Sequence, residues 1–395
     1  MAAIYEQPVT HLLTVSVDTP PEGAFTLDTS PLDGWHTLAA TTSGGTFDLL
    51  PSAVQSLTIT QAVEDTGVSR SPQVGTLSLT VLDLAPADRT LVRPGKTITV
   101  KATTGAGVRT LFTGIIRGSQ VTTDDLHEHT YTTISATDVV ADLANQTRYG
   151  ASSGTTTPDT WAQRINRLLA SVPDIPATLN TSYGVTWDAA DTVFESSVAN
   201  HLDMMCNSSQ SAAWWPNQFG GIQIVSGFST ANPTYTLQPA HDPRGAISAT
   251  GLAYLSVNES LDTTALVNEI NLVNHQRVLS EEGEWQANDL TTTVQDVTSR
   301  ATYGAGSAEV DVCIANDVFT PGLGDSLLAF SAQPTFVPTE VRVNAQDNLA
   351  IASNIGLMDS VGVQTPDWSG ARRITGINHE ITSDRWLITY QLGRL

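Results

Sequence analysis

Between Gly75 and Ala136 apolar, β-rich runs are separated by turn residues, and this pattern limits what the chain can fold into more than any other feature of it. Leu77, Leu79 and Val81 share one face of an extended run that ends at Asp83. Leu91-Val92-Arg93-Pro94-Gly95 reads as a segment closing in a tight Pro-Gly turn, and Lys96 to Val100 as the strand after it. Phe112, Ile115 and Ile116 open a further strand that holds Gly114 inside it and continues through Val121. Asp124-Asp125 marks a turn, and Tyr131 to Ala136 returns as a β-rich run. Asp138 then precedes Val139, Val140, Leu143 and Ala144 at helical spacing, as an acidic residue at a helix start.

The composition agrees with a β-rich chain. Its 395 residues suffice for about two to four domains. The 29 Gly and 19 Pro supply many turns, and only 15% of residues are charged, so the surface is largely uncharged polar. No run of about 18 apolar residues occurs, so no membrane span is expected. The opening MAAIYEQPVTHLL has neither a basic nor an apolar signal region, so no secretory leader is expected. Cys206 and Cys313 are far apart and in different expected elements; they read as two buried thiols, which suits synthesis in a reducing cytoplasm. The net charge of −22 argues against binding nucleic acid by phosphate neutralisation. Such acidity serves solubility, the reading composition alone favours, or lines a channel through which DNA slides without sticking.

Elsewhere the pattern is looser. Leu13 to Val17 and Leu57 to Thr60 read as strands, with turns at Pro20 to Gly23 and Ser43 to Gly45 and Trp35 as a core anchor between them. Tyr149 to Thr157 is Gly/Ser/Thr-rich and reads as a linker at a domain boundary. A helix then carries Trp161, Ile165, Leu168 and Leu169 on one side and Arg164 and Arg167 on the other, stopping at Pro173. A second helix is expected from about Val193 to Ala213, ended by Trp214-Trp215-Pro216, with Ile222 to Val225 as a strand. Leu252 to Val257, the latter half of Leu261 to Val273, Val310 to Val312 and Thr339 to Val343 follow as strands. Ile374, Ile377 and Ile381 fill one arm of a final hairpin, Ser383-Asp384 make its turn, and Trp386, Ile388 and Tyr390 alternate on the other arm.

Over residues 70 to 148 the order is a strand ending in Asp, Leu-x-x-Pro-Gly and a strand, Leu-Phe-Thr-Gly and a strand, then strand, Asp and helix. This resembles the first β-barrel domain of the tail-hub proteins of tailed phages. The stretch around Trp214 to Val225 is similar to the small α/β insertion of that family. Val267 to Val273, with Tyr303-Gly304 downstream, is similar to the opening of its second barrel, and the final hairpin to its closing one. The resemblance implies a mainly β fold with an α/β insertion: a first β-barrel-like domain over 1–148, a small α/β domain over 149–250 and a second β-barrel-like domain over 251–395. It further implies a structural virion protein, a homotrimeric hub at the tail tip that caps the tail tube, adapts its six-fold symmetry to a three-fold tip and forms part of the DNA exit channel. Partners would be the tail tube or a distal tail protein, the tape measure protein and a central fibre or spike. No sequence-specific nucleic acid and no membrane are among them. The location would be the virion tail tip, after synthesis in the host cytoplasm. Some hubs append a lytic domain; this sequence stops three residues after the hairpin, so no peptidoglycan-cleaving role is expected.

The residues themselves carry little catalytic chemistry. There is no phosphate-binding Gly-rich loop, no H-E-x-x-H and no G-x-S-x-G. His127 and His129 flank Glu128 near Asp124-Asp125; on a strand they form a two-His metal site, beside a turn a solvated edge, and the edge is favoured. His241-Asp242 and His379-Glu380 are isolated pairs. Trp214-Trp215 is core packing or, less favoured, a sugar-stacking platform. No catalytic, cofactor or metal residue is therefore assigned, and the chain is expected not to be an enzyme. The competing readings are a carbohydrate-binding or carbohydrate-active β-rich tail protein, and the hub of a phage-derived injection machine.

Overall fold

The computed structural model describes residues 9–18, 46–49, 51–126, 128–148, 159–182, 188–189, 195–209, 212–228, 233–240, 249–261 and 266–394. The fold is mainly β, as expected. The chain forms two compact units. The first takes Met1–Ile59, Thr76–Asp138 and His379–Trp386; the second takes Thr60–Gly75, Val139–Asn378 and Leu387–Leu395. Expectations for Trp35, for both early turns, for the linker and for His241-Asp242 fall outside the described residues, as does His127.

The first unit is built from β1 (Leu13–Asp18), β2 (Thr46–Leu49), β5 (Thr97–Thr104), β6 (Gly107–Thr123), β7 (Thr130–Thr137) and parts of β3 (Val54–Asp65) and β4 (Arg70–Leu82), whose residues from Thr60 to Gly75 belong to the second unit. Their order across the sheet is β2-β1-β5-β6-β7-β4-β3. The alternation that marks these strands is what the core uses. Leu77, Leu79 and Val81 are buried on β4, Ile98 and Val100 on β5, Phe112 and Ile116 on β6, and Ile134 on β7. Gly95, at φ +87°, takes the third turn position where a positive φ is needed after Pro94. Gly114 lies opposite Ile98, and a Cβ there would stand 2.4 Å from the Thr137 carbonyl oxygen and 2.6 Å from the Phe112 ring. Only a glycine lets the β7 backbone and that ring approach so closely.

In the second unit six strands close into a ring. They are β11 (Tyr235–Pro239), β12 (Gly251–Ser260), β16 (Val337–Asn344), β17 (Ser360–Gln364), β18 (Ser369–Thr382) and β19 (Trp386–Gly393), the last two continuing into the first unit. The circuit runs β18-β17-β11-β12-β16-β19 and returns to β18. β11 is parallel to both neighbours, whereas the β12–β16, β16–β19 and β17–β18 pairs are antiparallel. Ile374, Ile377 and Ile381 are buried along β18, and Ile388 and Tyr390 along β19.

Two smaller layers complete this unit. The three-stranded sheet β8-β10-β9 joins β8 (Ala177–Asn180), β9 (Ala213–Pro216) and β10 (Ile222–Val225). It shares a core with α1 (Val139–Ala144), α2 (Trp161–Leu169) and α3 (Val198–Asn207). A second sheet sets β13 (Glu269–Leu279) between β14 (Trp285–Gln295) and β15 (Ser307–Val312). Ile270, Leu272, Val310 and Val312 of this sheet share a core with Leu327 and Leu328 of α5 (Thr320–Ser331). Between β14 and β15 runs α4 (Val297–Tyr303), capped by Asp296; Tyr303-Gly304 is its end, with Gly304 at φ +89°.

Three expectations need correction. The second helix is α3 alone, ten residues starting after Ser197, whose hydroxyl accepts the Asn200 N–H. Trp214-Trp215-Pro216 does not end it but lies in β9, where alternation sends Trp214 into the core and leaves Trp215 half-buried. In α2, begun by a capping box between Thr160 and Gln163, Arg164 is buried beside Ile165 and Leu168 rather than on the outer side, while Arg167 pairs with Asp159.

Candidate functional site

In the second unit, four of the chain's 18 Lys and Arg residues gather around one carboxylate. The connection from β3 to β4 is the starting point. Asp65 Oδ1 accepts the Gly67 N–H at 3.0 Å, and Thr66 N–H bonds the Ser69 carbonyl at 3.1 Å, so the chain reverses tightly. The reversal sets Arg70 Nε 3.5 Å from Asp65 Oδ2. Arg373 of β18 is 3% exposed, donates to the Met358 carbonyl at 2.7 Å and lies over the Phe228 ring at 3.9 Å. Arg70 approaches the same ring at 5.7 Å, and Phe228 stacks on Trp215 with centroids 6.0 Å apart. Met358 takes φ +64°, uncommon for a side chain with a Cβ, and both its backbone polar groups are used: its N–H bonds Ile374 and its carbonyl accepts Arg373.

Arg372 precedes Arg373 on a strand whose neighbours alternate between faces, so one guanidinium cannot follow the other. Arg372 is 8% exposed and donates Nη2 to the Leu392 carbonyl at 3.2 Å. Burial first, then the nearby charge of Arg394, pulls its pKa down to about 10; burial and then Arg70 do the same to Arg373. Asp65, Arg372 and Arg394 line a cavity of about 180 Å³.

Two further groups of titratable residues are built into the same unit. His275 of β13 is buried between two carboxylates, with Nδ1 2.9 Å from Asp289 on β14 and Nε2 2.8 Å from Asp311 on β15. One imidazole thus ties all three strands, and the hydrogen bond to Asp311 leads in raising its pKa. Asp203 of α3 accepts from the Trp214 indole at 2.6 Å and from Ser71 Oγ at 2.7 Å. Burial outweighs both hydrogen bonds and pushes its carboxyl up to about 6.

The residues singled out in the sequence are dispersed. His129, in the first unit, bonds Asp83 Oδ2 through Nδ1 at 2.8 Å, while Asp83 Oδ1 accepts the Thr130 N–H at 2.8 Å. Asp124 holds the turn by accepting the Glu128 and His129 N–H groups. Among the described residues no three His, Cys, Asp or Glu side chains converge on a metal position. Trp214 is buried, so only Trp215 keeps an accessible edge, and that ring is stacked on Phe228. His379, also in the first unit, is buried against Trp386, whose indole N–H donates to His379 Nδ1 at 3.2 Å; burial brings its pKa down to about 4. Cys206 and Cys313 are buried thiols outside any disulfide, as expected. No helix among the described residues is long and apolar enough to cross a membrane. The arginine cluster escaped the sequence reading; its one local signal is the Arg372-Arg373 pair inside an apolar strand.

No protein-family model and no curated protein matches the chain. Solved structures do. The crystal structure of the tail protein from Neisseria meningitidis MC58 superposes with a TM-score of 0.61 over 96% of both chains, at 14% identity. The 43 kDa tail protein of prophage MuSo2 from Shewanella oneidensis gives 0.56 over 89% of this chain and 96% of that one, at 13% identity. The chain therefore has the fold of these tail proteins.

Proposed function

We propose that the chain is a structural protein of a phage tail, located in the virion at the tail tip, where three copies form the hub. The observation that carries this reading is the likeness of fold to two tail proteins over almost the full length of each chain. The proposed division of labour gives each chain a first β-barrel-like part over 1–148, an α/β part over 149–250 and a second β-barrel-like part over 251–395. Three copies then offer six barrel-like parts, which suits a cap on a six-fold tube. The α/β part faces away from the tube and meets the fibre or spike; the tube or distal tail protein and the tape measure protein are the other partners. The −22 charge serves a DNA exit channel through the ring, whose walls leave the phosphates hydrated. No enzymatic step belongs to this role, and the burial of Trp214 weakens the sugar-platform alternative.

Mass measurement of the purified chain over a range of concentrations, alone and with the tail tube protein, tests the central claim. The expected species is three times the chain mass. A chain that stays monomeric inside an assembled tail would refute it.

A further inference from the structure

The cavity beside Asp65 has cationic and hydroxyl-bearing walls. Arg372 and Arg394 line it together with Thr66, Ser260 and Thr339. Among the described residues Arg372 makes a single hydrogen bond, to the Leu392 carbonyl, and its buried Nε meets no acceptor. Among the described residues Arg394 reaches only the Gln333 carbonyl, at 3.4 Å. Neither arginine has a carboxylate within ion-pair distance among the described residues; Asp65, the acidic residue of the lining, lies 3.5 Å from Arg70, and its charge reaches Arg372 only from beyond that distance. A buried guanidinium with an unused N–H is stable when an anion completes it, and its fork geometry matches a planar or tetrahedral oxyanion better than a spherical ion. The volume sets an upper bound. About 180 Å³ is below the roughly 300 Å³ at which sites for drug-sized ligands begin, so a nucleotide or sugar chain does not fit but a single oxyanion does.

We propose that this cavity is an oxyanion site, in which Arg372 and Arg394 grip one carboxylate or phosphate group. The group comes either from a free small anion or from an acidic side chain of a neighbouring protein. The site is complete within one chain, so it does not depend on the trimer.

The test is the thermal midpoint of the full chain at fixed pH and ionic strength, with chloride replaced stepwise by phosphate. A ligand that binds only the folded state raises the midpoint with its concentration. The expected result is a rise in the wild type that Arg394→Gln abolishes, or moves to at least ten-fold higher phosphate, and that Arg394→Lys keeps in part. An equal rise in wild type and Arg394→Gln would mean a general salt effect and overturn the proposal, as would no rise at all. Calorimetric titration of the wild type with phosphate is the second measurement, needed if Arg394→Gln fails to fold; absence of saturable heat overturns the proposal. The source is read by competition. A blocked tripeptide with one central Glu that displaces phosphate at lower concentration than acetate does supports a neighbour's side chain, and phosphate binding unaffected by the peptide supports a free anion.

Discussion

The His379–Trp386 contact makes a prediction about pH that can be worked through quantitatively. Trp386 is fully buried and donates its indole N–H to His379 Nδ1, which can accept only while the imidazole is neutral. Burial has lowered the folded pKa from 6.5 to about 4, so the unfolded chain binds the proton first as pH falls. Stability from the neutral form is therefore complete above about pH 6.5 and is lost as pH falls towards 4. At about 1.36 kcal/mol for each pKa unit the full loss is roughly 3 kcal/mol, and roughly 2 kcal/mol of it is gone by pH 5. The raw pH dependence of the wild type does not isolate this. Asp203, raised to about 6, acts in the opposite direction: its charged form is disfavoured in the fold, so protonation recovers stability as pH falls from about 6 to 3.8. The two contributions are of similar size and nearly cancel between pH 6 and 4. The measurement must be a difference, with denaturant unfolding of wild type and His379→Gln compared at pH 8, 6 and 5. Glutamine can still accept from Trp386, and whatever it costs is constant with pH. The wild type should lose about 2 kcal/mol relative to the variant between pH 8 and 5. Parallel pH profiles, or an NMR titration placing His379 near 6.5, would refute the reasoning.

Two other substitutions follow from the geometry. Asp203→Asn keeps the shape, can accept from Trp214 and donate to Ser71, and removes a buried charge; it should match or exceed wild-type stability at pH 8, by up to about 2 kcal/mol, with the advantage vanishing near pH 4, and a variant clearly less stable at pH 8 would show that the charge is stabilising. Gly114→Ala forces a methyl group to within 2.4 Å of the Thr137 carbonyl oxygen; it should cost about 1–3 kcal/mol in denaturant unfolding, and a neutral result would mean that β6 and β7 separate easily.

Elements whose determining interactions are local are legible in the sequence. β7, the latter half of β4 and the second arm of the final hairpin alternate, and alternation on a half-buried strand is visible one residue at a time. The end of α3 is not legible, because the short apolar run through Trp214 fits either period and only the pairing of β9 with β10 decides. Nor is the side that Arg164 takes, because burial of an arginine beside core residues reflects what packs above the helix, not the helix's own pattern. The arginine cluster draws on Asp65, Arg70, Phe228, Arg372, Arg373 and Arg394, which have no fixed spacing; only the tertiary fold of the second unit brings them together. Asp83 and His129 are likewise 46 residues apart, and their pairing depends on the register of β4 against β7.

The closure of the six-strand ring bears on how the chain reaches its native state. β11 is five residues long and joins β12 on one side and β17 on the other, with Tyr235 opposite Val361. No local hairpin can supply either of its parallel pairings, and the loop entropy of the β17 contact is spent before the contact forms. During synthesis β11 and β12 emerge well before β17, β18 and β19, and in that interval their outer edges are open templates for any extended segment nearby. Ring closure is thus a late, long-range event, of the kind that makes folding slow and leaves a nascent chain most exposed to mispairing just before completion.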